Sequence, residues 1–231
     1  MSEAVALSAG GRRRSAKGRG AELRGELLEA AMALLTETGE EDAVSLRAVA
    51  GRVGVSVPSI YLHFADKQAL LDAVCEEVFA ALDSRMRAAS VGAPDAFEAL
   101  RLQGVAYVQF AIDNPEHYRI VLMRKHDGRQ ADLVMATSAF EHFVASVQEC
   151  VDAGIFEGAA EALALRLWAA AHGVAALLVA KPYFPWPDVD ELVADVIRMA
   201  GLGIALSSRV GECGEMPLPE LVTRLESVRP A

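Results

Sequence analysis

The sequence predicts an all-α protein of about nine helices, on three observations. Alanine and leucine are abundant and aromatic residues make up only 6% of the 231 residues, a composition that favours helices. Apolar residues recur every three or four positions through most of the chain, and no segment has the alternating pattern of a strand. Glycines and prolines separate the periodic segments. A chain of this length can bury one sizeable core, or one core with a small appended domain.

The first two helices are defined by apolar stripes and by the residues at their ends. Apolar residues recur at helical steps over about 21–38, and Gly39 is expected to end this helix. Ser45 can cap the next helix, 46–53, because its hydroxyl can accept a backbone N–H of the first turn. Gly54 is expected to end that helix and to permit a sharp turn.

A third helix is predicted at about 57–63, three residues after the second. Pro58 belongs in a first helical turn, where its missing N–H would have no partner. The cap is either Ser56 or Val57. Because a proline pushes the preceding residue towards an extended backbone, Val57 could lie just outside the helix, and the sequence does not decide between the two. Two short helices joined by such a turn have the spacing of a helix-turn-helix. Asp66 is expected to cap the long fourth helix that follows.

The rest of the chain is predicted to fold as a helical body. Five further helices are expected, at about 95–113, 115–123, 130–153, 159–181 and 188–208, with one weak helix near 219–227. We therefore divide the chain into a disordered basic arm at 1–20, a helix-turn-helix domain at 21–74, a helical body at 75–210 and a tail at 211–231.

The charge is distributed unevenly along the chain. Residues 1–70 hold nine basic and nine acidic side chains, whereas residues 71–231 hold 13 basic and 23 acidic ones and so account for the net charge of −10. Residues 12–24 carry six basic side chains against one acidic, and residues 45–67 carry three against one. This asymmetry indicates a small head that binds a polyanion, attached to a large acidic body. A basic arm that is merely solvated would have the same composition.

Cysteine spacing and hydropathy indicate a cytoplasmic protein. Cys75, Cys150 and Cys213 are odd in number and far apart, which argues against a disulfide framework and against a zinc site. The longest uncharged apolar run, 167–180, has 14 residues, fewer than the ~20 that span a membrane. The N-terminus has no apolar signal core. We therefore expect a soluble, cytoplasmic protein without a membrane partner.

The third helix is expected to have an inner and an outer face. Ile60 and Phe64 lie four residues apart and, together with Val57, can pack against the first two helices. The side chains left to project outward are Ser59, Tyr61, Leu62 and His63. Hydroxyls, a phenol and an imidazole suit phosphate oxygens and base edges. Lys67 adds a cation beside the free N–H groups of the fourth helix, which also attract phosphate.

This segment resembles the DNA-binding domain of TetR/AcrR-type bacterial transcriptional regulators. The residues that fit the family pattern are Ser45, Val49, Ala50, Gly54, Val55, Ser56, Ile60, Tyr61, His63, Phe64, Lys67 and Leu70. Pro58 departs from it, because glycine or another small residue is common at that position. The resemblance covers about 21–74 and implies that Tyr61 and Lys67 contact phosphates, with Val57, Ser59 and His63 at the groove. The candidate DNA-contacting residues are Ser45, Arg47, Ser56, Val57, Pro58, Ser59, Tyr61, His63 and Lys67.

A second, shorter resemblance concerns the helical body. Trp168, His172 and Gly173 match the Trp-x-x-x-His-Gly signature of one C-terminal ligand-domain subgroup of this family. The resemblance implies that the eighth and ninth helices form the interface of a homodimer, and both are more apolar than a monomer's core requires. The predicted interface residues are Leu163, Leu167, Ala171, Val174, Leu178, Val193, Val196, Ile197, Ala200 and Ile204. One thick core within a single chain is the alternative interpretation.

An apolar pocket for a small-molecule effector is predicted between the fourth and eighth helices. The candidate lining residues are Phe79, Tyr107, Phe110, His117, Tyr118, Met123, Phe140, Phe143, Trp168 and His172. The histidines, with His142, would supply polar contacts inside an apolar cavity. Core packing is the alternative for the aromatic residues, and a hydrogen-bonded core histidine is the alternative for His172.

The sequence lacks the motifs of catalysis and metal binding. Glu116–His117 and Glu141–His142 do not have the Glu-x-x-His spacing of bundle di-iron sites, and there is no phosphate loop, nucleophile elbow or H-E-x-x-H motif. We therefore expect no enzyme, no metal and no cofactor. The sequence predicts a ligand-responsive transcriptional regulator, a repressor that a small molecule releases from a palindromic DNA operator. The alternatives are a helical-bundle enzyme or carrier and a non-specific nucleoid-binding protein.

Overall fold

A computed structural model of the chain describes residues 19–123 and 138–210, together with 217, 219–220 and 222–223. Within these residues the chain forms nine α-helices and no strand, which confirms the all-α prediction. The helices separate into two units, residues up to 74 and residues from 75 onwards.

The first unit contains three helices and the start of a fourth. These are α1 (Arg19–Thr38), α2 (Leu46–Val53), α3 (Val57–Ile60) and α4 (Lys67–Ser90), with a 3₁₀ turn at Glu41–Ala43. The predicted ends of α2 are confirmed. The Ser45 hydroxyl accepts a hydrogen bond from the Ala48 N–H at 3.1 Å. Gly54 has φ 78°, the left-handed conformation that favours glycine, and its N–H bonds the Ala50 carbonyl.

Helix α3 is shorter than predicted, and it ends at Ile60 rather than near residue 63. Its cap is Ser56, whose backbone is extended, so the choice left open between Ser56 and Val57 is resolved. After Ile60 the chain forms a tight turn in which the N–H groups of His63 and Phe64 both bond the Ile60 carbonyl, at 2.8 and 2.9 Å. The next helix then begins with its predicted cap, since Asp66 Oδ1 accepts the Ala69 N–H at 2.8 Å.

The core of the first unit is built from the apolar stripes that the sequence indicates. Ile60 is fully buried and Phe64 is 4% exposed, which confirms that these two side chains form the inner face of the third helix. The side chains that they join in this core include Leu27, Ala31, Leu35, Val49 and Leu70. The short α3 is therefore held in place by a core that α1, α2 and α4 supply.

The second unit contains the rest of α4 and five further helices. These are α5 (Ala96–Asp113), α6 (Pro115–Tyr118), α7 (Ser138–Asp152), α8 (Ala160–Ala180) and α9 (Val189–Val210). The single helix predicted at 115–123 is wrong in part, because α6 passes at Arg119–Met123 into a π-helical turn. Asn114 does not cap α6 with its side chain but donates to the Phe110 carbonyl of α5. The predicted start of the seventh helix, near residue 130, lies outside the described residues.

Helix α8 is the central element of the second unit. It packs against α5, α7 and α9, and nine of its 21 residues are buried. By length and composition α8 is the one helix among the described residues that could cross a membrane. Its buried side chains are covered by the neighbouring helices, as those of a core helix are.

Two glycines set how closely α5 and α9 approach each other. A Cβ atom added at Gly104 would lie 2.8 Å from Cγ2 of Ile197, and one added at Gly201 would lie 2.9 Å from Cε2 of Phe97. Contacts this short require a neighbour to move. The branched Ile197 side chain has little freedom to do so in a helix, because its Cγ2 is bonded directly to Cβ.

We expect Gly104→Ala to lower the free energy of unfolding, although alanine is the better helix former. Overpacking costs about 1–3 kcal/mol, which exceeds the gain of about 0.5–1 kcal/mol in helix propensity. Gly25 in α1 is the matched control, since nothing lies within 4 Å of a Cβ added there. Urea unfolding should show the two alanine variants shifted in opposite directions. Equal stabilisation of both would contradict the close approach.

Candidate functional site

The first unit presents an exposed polar surface on α2 and α3. Tyr61 is 56% exposed and Leu62 is 83% exposed, as the predicted outer face requires. The side chains of Ser45, Arg47, Ser56 and Pro58 are also exposed, whereas those of Val57, Ser59, His63 and Lys67 are half-buried. We call these predicted residues together, without Leu62, the α2–α3 surface. The structure places all nine of them on α2 and α3, at the caps of these helices, in the turn that follows α3 and at the first residue of α4.

The hydroxyl groups of this surface have defined partners. The Ser56 and Ser59 hydroxyl oxygens lie 2.8 Å apart and share a hydrogen bond across the first turn of α3. Ser56 makes no side-chain bond to the helix backbone, unlike Ser45 at the start of α2. The Ser56–Ser59 pair therefore fixes two hydroxyls at the N-terminal end of α3, where N–H groups without helical partners also collect.

The first helix supports this surface through two contacts. Arg52 of α2 makes two hydrogen bonds to the Glu37 carboxylate of α1, at 2.6 and 2.7 Å. The guanidinium holds the pKa of Glu37 below its ordinary value. Arg24 of α1 stacks over the Phe64 ring, 5.2 Å from its centre. Since Arg52 is neutralised by Glu37, it adds less positive charge to the α2–α3 surface than the sequence count implied.

Lys67 lies at the start of α4, where the resemblance places a phosphate contact. Its ammonium nitrogen is 3.8 Å from Oδ1 of Asp42, whose side chain is fully exposed. An ion pair at this distance with a fully exposed carboxylate contributes little to stability. The predicted contacts of the basic arm lie outside the described residues.

The second unit contains an apolar cavity between α4, α5, α7, α8 and α9. Its volume is about 70 Å³. Five of the predicted pocket residues line this cavity, namely Phe79, Tyr107, Phe140, Phe143 and Trp168. Its other walls include residues that the sequence analysis did not assign to a pocket: Leu82, Met86, Phe97, Leu100, Arg101, Gly104, Leu122, Ala139 and Gly201.

The other five predicted pocket residues lie outside the cavity lining. Phe110 and Tyr118 are buried in the core, and His117 is half-buried on α6. Met123 is 38% exposed at the end of the π-helical turn, and the His172 imidazole bonds the two tyrosines behind the cavity wall. The placement of these five in a pocket is therefore corrected. The aromatic residues in the sequence do not show by themselves which side chains line a cavity and which pack behind that lining.

A polar cluster of four side chains adjoins the cavity. The Tyr107 hydroxyl accepts a hydrogen bond from Trp168 Nε1 at 3.1 Å. His172 Nδ1 lies 2.7 Å from the Tyr118 hydroxyl and 3.1 Å from the Tyr107 hydroxyl, and the two hydroxyls are 3.4 Å apart. His172 is thus a half-buried histidine whose Nδ1 is hydrogen-bonded within the protein, as in the alternative that the sequence left open.

Burial keeps this cluster uncharged at neutral pH. It raises the pKa of Tyr107 to about 12 and raises the pKa of Tyr118 further, because both phenols lie in the core. Burial also lowers the pKa of His172, since the charged imidazolium is the form that desolvation disfavours. The cluster therefore offers neutral hydrogen-bonding groups.

Arg101 is a charged side chain on the cavity wall, and it is paired. Its Nε and Nη2 atoms donate to the two carboxylate oxygens of Glu98, at 2.8 and 2.6 Å. The pairing lowers the pKa of Glu98 and raises that of Arg101, so both stay charged. The pair brings no net charge to the cavity.

The residues assigned to a dimer interface lie mostly within the core of the single chain. Seven of them are buried: Leu163, Leu167, Ala171, Val174, Leu178, Val193 and Ile197. The other three, Val196, Ala200 and Ile204, are half-buried. The seven buried side chains belong to the core in which α8 packs against α5, α7 and α9, so they are not exposed for contact with a second subunit. The assignment of Val196, Ala200 and Ile204 to a dimer interface stays a prediction.

Five further apolar side chains remain exposed on the same two helices. On α8 these are Leu165 and Leu177, which are 42% and 54% exposed. On α9 they are Met199, Leu202 and Leu206, which are between 40% and 63% exposed. We call these five residues the outer stripe. Sequence periodicity gave no means to tell this stripe from the buried one, because α8 is apolar on nearly every face.

No cluster of metal ligands occurs among the residues that the structure describes. His142, a candidate polar contact of the pocket, bonds Asp83 of α4 instead, with Nδ1 2.9 Å from Oδ1. Asp83 also accepts from Arg87, so His142 belongs to a small, partly buried network of three side chains.

Two family models match the chain. One, described as "Bacterial regulatory proteins, tetR family", matches residues 27–74. The other, described as "Tetracyclin repressor-like, C-terminal domain", matches residues 100–200. The first match contains the whole α2–α3 surface, and the second contains most of α5 and most of the cavity wall.

The chain is similar to known proteins, over about half of its length for a curated relative and over about four fifths for solved structures. The tetracycline repressor protein class D of Escherichia coli is 32% identical over 110 residues, which are 48% of this chain and 44% of that protein. The chain thus matches less than half the length of these curated relatives. A solved structure of a protein of unknown function from Rhodococcus sp. RHA1 is 33% identical, with a TM-score of 0.66, over 79% of this chain and 95% of that one. A TetR family transcription regulator from Marinobacter aquaeolei VT8 has the same fold, with 18% identity and a TM-score of 0.62 over 80% and 97% of the two chains.

We expect His172 to make stability fall as the pH is lowered through its ordinary pKa of 6.5. In the folded chain the lowered pKa keeps the imidazole neutral, while the unfolded chain takes up a proton. The lost stability is bounded at about 1.4 kcal/mol per pH unit for one proton. Urea unfolding between pH 7.5 and pH 5.5 should therefore show a shallower dependence in His172→Gln than in the parent chain. Other titrating groups are common to both proteins, so parallel curves would contradict the assignment.

Proposed function

The chain belongs to the TetR family of bacterial regulatory proteins, and on this premise we propose that it is a ligand-responsive transcriptional repressor. It binds a palindromic DNA operator as a homodimer in the cytoplasm, and a small molecule in the cavity releases it. The observation that carries this proposal is the α2–α3 surface. It joins a helix-turn-helix backbone to an outward-facing phenol, hydroxyls and an ammonium group.

The α2–α3 surface supports two kinds of DNA contact. Tyr61 and Lys67 carry a hydroxyl and an ammonium that suit phosphate oxygens, so they position the protein without reading the sequence. Val57 and Ser59 lie in the first turn of α3, the part of a recognition helix that meets base edges in the major groove. An enzyme or carrier that used only its cavity would have no need of such a surface, and a non-specific DNA-binding protein would show no preferred site.

The homodimer is proposed to form through the outer stripe of α8 and α9. Soluble chains rarely leave such apolar stripes uncovered, and two copies of one stripe can meet across a two-fold axis. Gly173 and Gly203 leave open space on these helices, where a Cβ atom would touch nothing within 4 Å, and so permit a close approach. The two-fold symmetry of such a dimer matches a palindromic operator, whose half-sites lie about 34–36 Å apart.

Release by a ligand is proposed to act through α4. This helix begins at Lys67 of the α2–α3 surface and carries Phe79, Leu82 and Met86 along the cavity wall. A ligand that shifts α4 at the cavity therefore changes how both subunits present their DNA contacts. Coupling of about 1–3 kcal/mol is sufficient, since it changes operator affinity about 5–150-fold.

We predict that Tyr61→Phe and Lys67→Ala weaken binding to every DNA sequence alike, whereas Val57→Ala and Ser59→Ala change which sequence is preferred. The loss of Lys67 should also reduce the log–log salt slope by about 0.9 per contact, hence about 1.8 for the dimer. Selection of sites from random DNA, followed by footprinting over a salt series, measures both effects.

The matched controls are Tyr183→Phe and Lys181→Ala, since both residues are exposed and lie in the second unit. They should leave DNA affinity unchanged. Parental affinity in the Tyr61→Phe, Lys67→Ala double variant would refute the assignment of the α2–α3 surface.

A glutamate in the outer stripe should disrupt the dimer. We predict that Leu177→Glu shifts the chain from dimer to monomer, because a charge buried in an apolar interface cannot be solvated. Light scattering at micromolar concentration measures the mass of each variant. Val91→Glu is the control, since Val91 is 83% exposed but lies outside α8 and α9. A dimeric Leu177→Glu, or a parent chain that is already monomeric, would contradict this interface.

A further inference from the structure

The chemistry of the ligand can be read from the hydrogen-bonding groups beside the cavity. The cavity walls are almost entirely apolar. Of the four side chains in the polar cluster, Tyr107 and Trp168 line the cavity, whereas Tyr118 and His172 lie behind them. Trp168 donates its single N–H to Tyr107, so the indole has nothing further to offer a ligand.

Two hydroxyls converge on one ring nitrogen. Tyr118 lies 2.7 Å from His172 Nδ1, whereas Tyr107 lies 3.1 Å from the same atom. A neutral imidazole nitrogen that accepts has one lone pair, and the shorter contact takes it. Tyr118 therefore donates to Nδ1, and the proton of Tyr107 is left with the Tyr118 oxygen at 3.4 Å as its next acceptor. That distance makes a poor hydrogen bond.

The other tautomer of His172 leads to the same result. If Nδ1 carries the proton, it donates to Tyr118 at 2.7 Å and cannot accept from Tyr107 at all. Tyr118 has one further acceptor, the His172 carbonyl oxygen at 3.5 Å, but that contact is much longer than the 2.7 Å contact with Nδ1. In both cases, therefore, Tyr118 keeps Nδ1, the Tyr107 oxygen accepts from Trp168, and the Tyr107 proton is left with a poor acceptor. A buried donor without a good partner costs free energy, so a ligand that supplies an acceptor to this hydroxyl gains affinity.

The cavity wall provides no net charge that would balance the charge of an ionic ligand. The Arg101 guanidinium is held by two hydrogen bonds to Glu98, so an anion would compete with a carboxylate already in place. Transfer of an unpaired charge into an apolar cavity is strongly unfavourable.

We propose that the cavity binds an uncharged, largely apolar molecule that carries one hydrogen-bond acceptor, such as a ketone, ester or ether oxygen, and that this oxygen accepts from the Tyr107 hydroxyl. The inference rests on the proposed function in taking this cavity as the effector site. It adds that the ligand's polar group is an acceptor and that Tyr107 orients it.

Three single-ring probes of similar size test the proposal. Acetophenone carries a neutral acceptor, ethylbenzene has a methylene group in place of the carbonyl, and benzoate carries a negative charge. Calorimetry measures their affinities for the full-length chain and for the variants Tyr107→Phe and Tyr118→Phe. Tyr183→Phe is the control, because Tyr183 is 98% exposed and lies outside the cavity.

The expected result is a change in the ratio of acetophenone to ethylbenzene affinity. One neutral hydrogen bond corresponds to about a 3- to 10-fold change in that ratio, so Tyr107→Phe should reduce it by this factor while retaining ethylbenzene binding. Tyr118→Phe should change the ratio in a direction that the tautomer sets. The ratio falls if the freed Nδ1 accepts the Tyr107 proton, and it rises if Nδ1 carries a proton, because Tyr107 then loses the Tyr118 oxygen as an acceptor. The second variant keeps the indole–hydroxyl bond and so tests the same idea if Tyr107→Phe does not fold. Tyr183→Phe should leave the ratio unchanged.

Three outcomes would overturn the proposal. They are an unchanged ratio in Tyr107→Phe or Tyr118→Phe, benzoate as the strongest ligand, and the absence of binding by all three probes. Benzoate as the strongest ligand would assign the orienting contact to Arg101. Operator binding is measured separately on the ligand-free chain. Failure to bind DNA would refute the proposed function and leave the probe affinities intact, so the two failures are distinguishable.

Discussion

The burial of α8 among α5, α7 and α9 is the constraint on which the second unit depends. Because nearly every residue of α8 is apolar, several of its faces could form the core, and the packing selects one of them. The close approach at Gly104 and Gly201 brings α5 and α9 together, and both glycines lie on the cavity wall. The small residues allow α5 and α9 to meet. The cavity is the space beside this contact that the surrounding aromatic rings do not fill. The same choice of face leaves the outer stripe exposed.

The first unit has a different constraint, because it must hold α3, a helix of only four residues, in a fixed position. Such a helix is not stable by itself, because helix formation has a costly nucleus. Ile60 and Phe64 anchor it in a core, the Ser56–Ser59 pair orders its start, and Arg24 covers Phe64 from α1. The side chains between the two anchors are then forced outward by the geometry of one tight turn. The polar surface is a consequence of how α3 is anchored.

Local signals in the sequence predicted the first unit more closely than the second. Ser45, Gly54 and Asp66 act where their chemistry requires, because a cap depends on its own turn and little else. The charge count was less reliable, since Arg52 and Glu37 are 15 residues apart in the chain and pair only in the folded unit. In the second unit, half of the predicted pocket residues line the cavity. The others lie in the core, on α6 or at the surface. Composition could not predict this, because it does not show how deeply each side chain is buried.

The sequence by itself determined the helical class and the ends of most helices, and it predicted the residues of the α2–α3 surface. These follow from periodicity, capping and a dense local motif, all of which act over a few residues. Only the tertiary structure decided which face of α8 is buried, that His172 joins the hydroxyls of Tyr107 and Tyr118, and that Phe97 and Leu122 line the cavity. Each of these depends on contacts between residues far apart in the chain. A helix that is apolar on nearly all sides carries no periodic signal for which side its neighbours will cover.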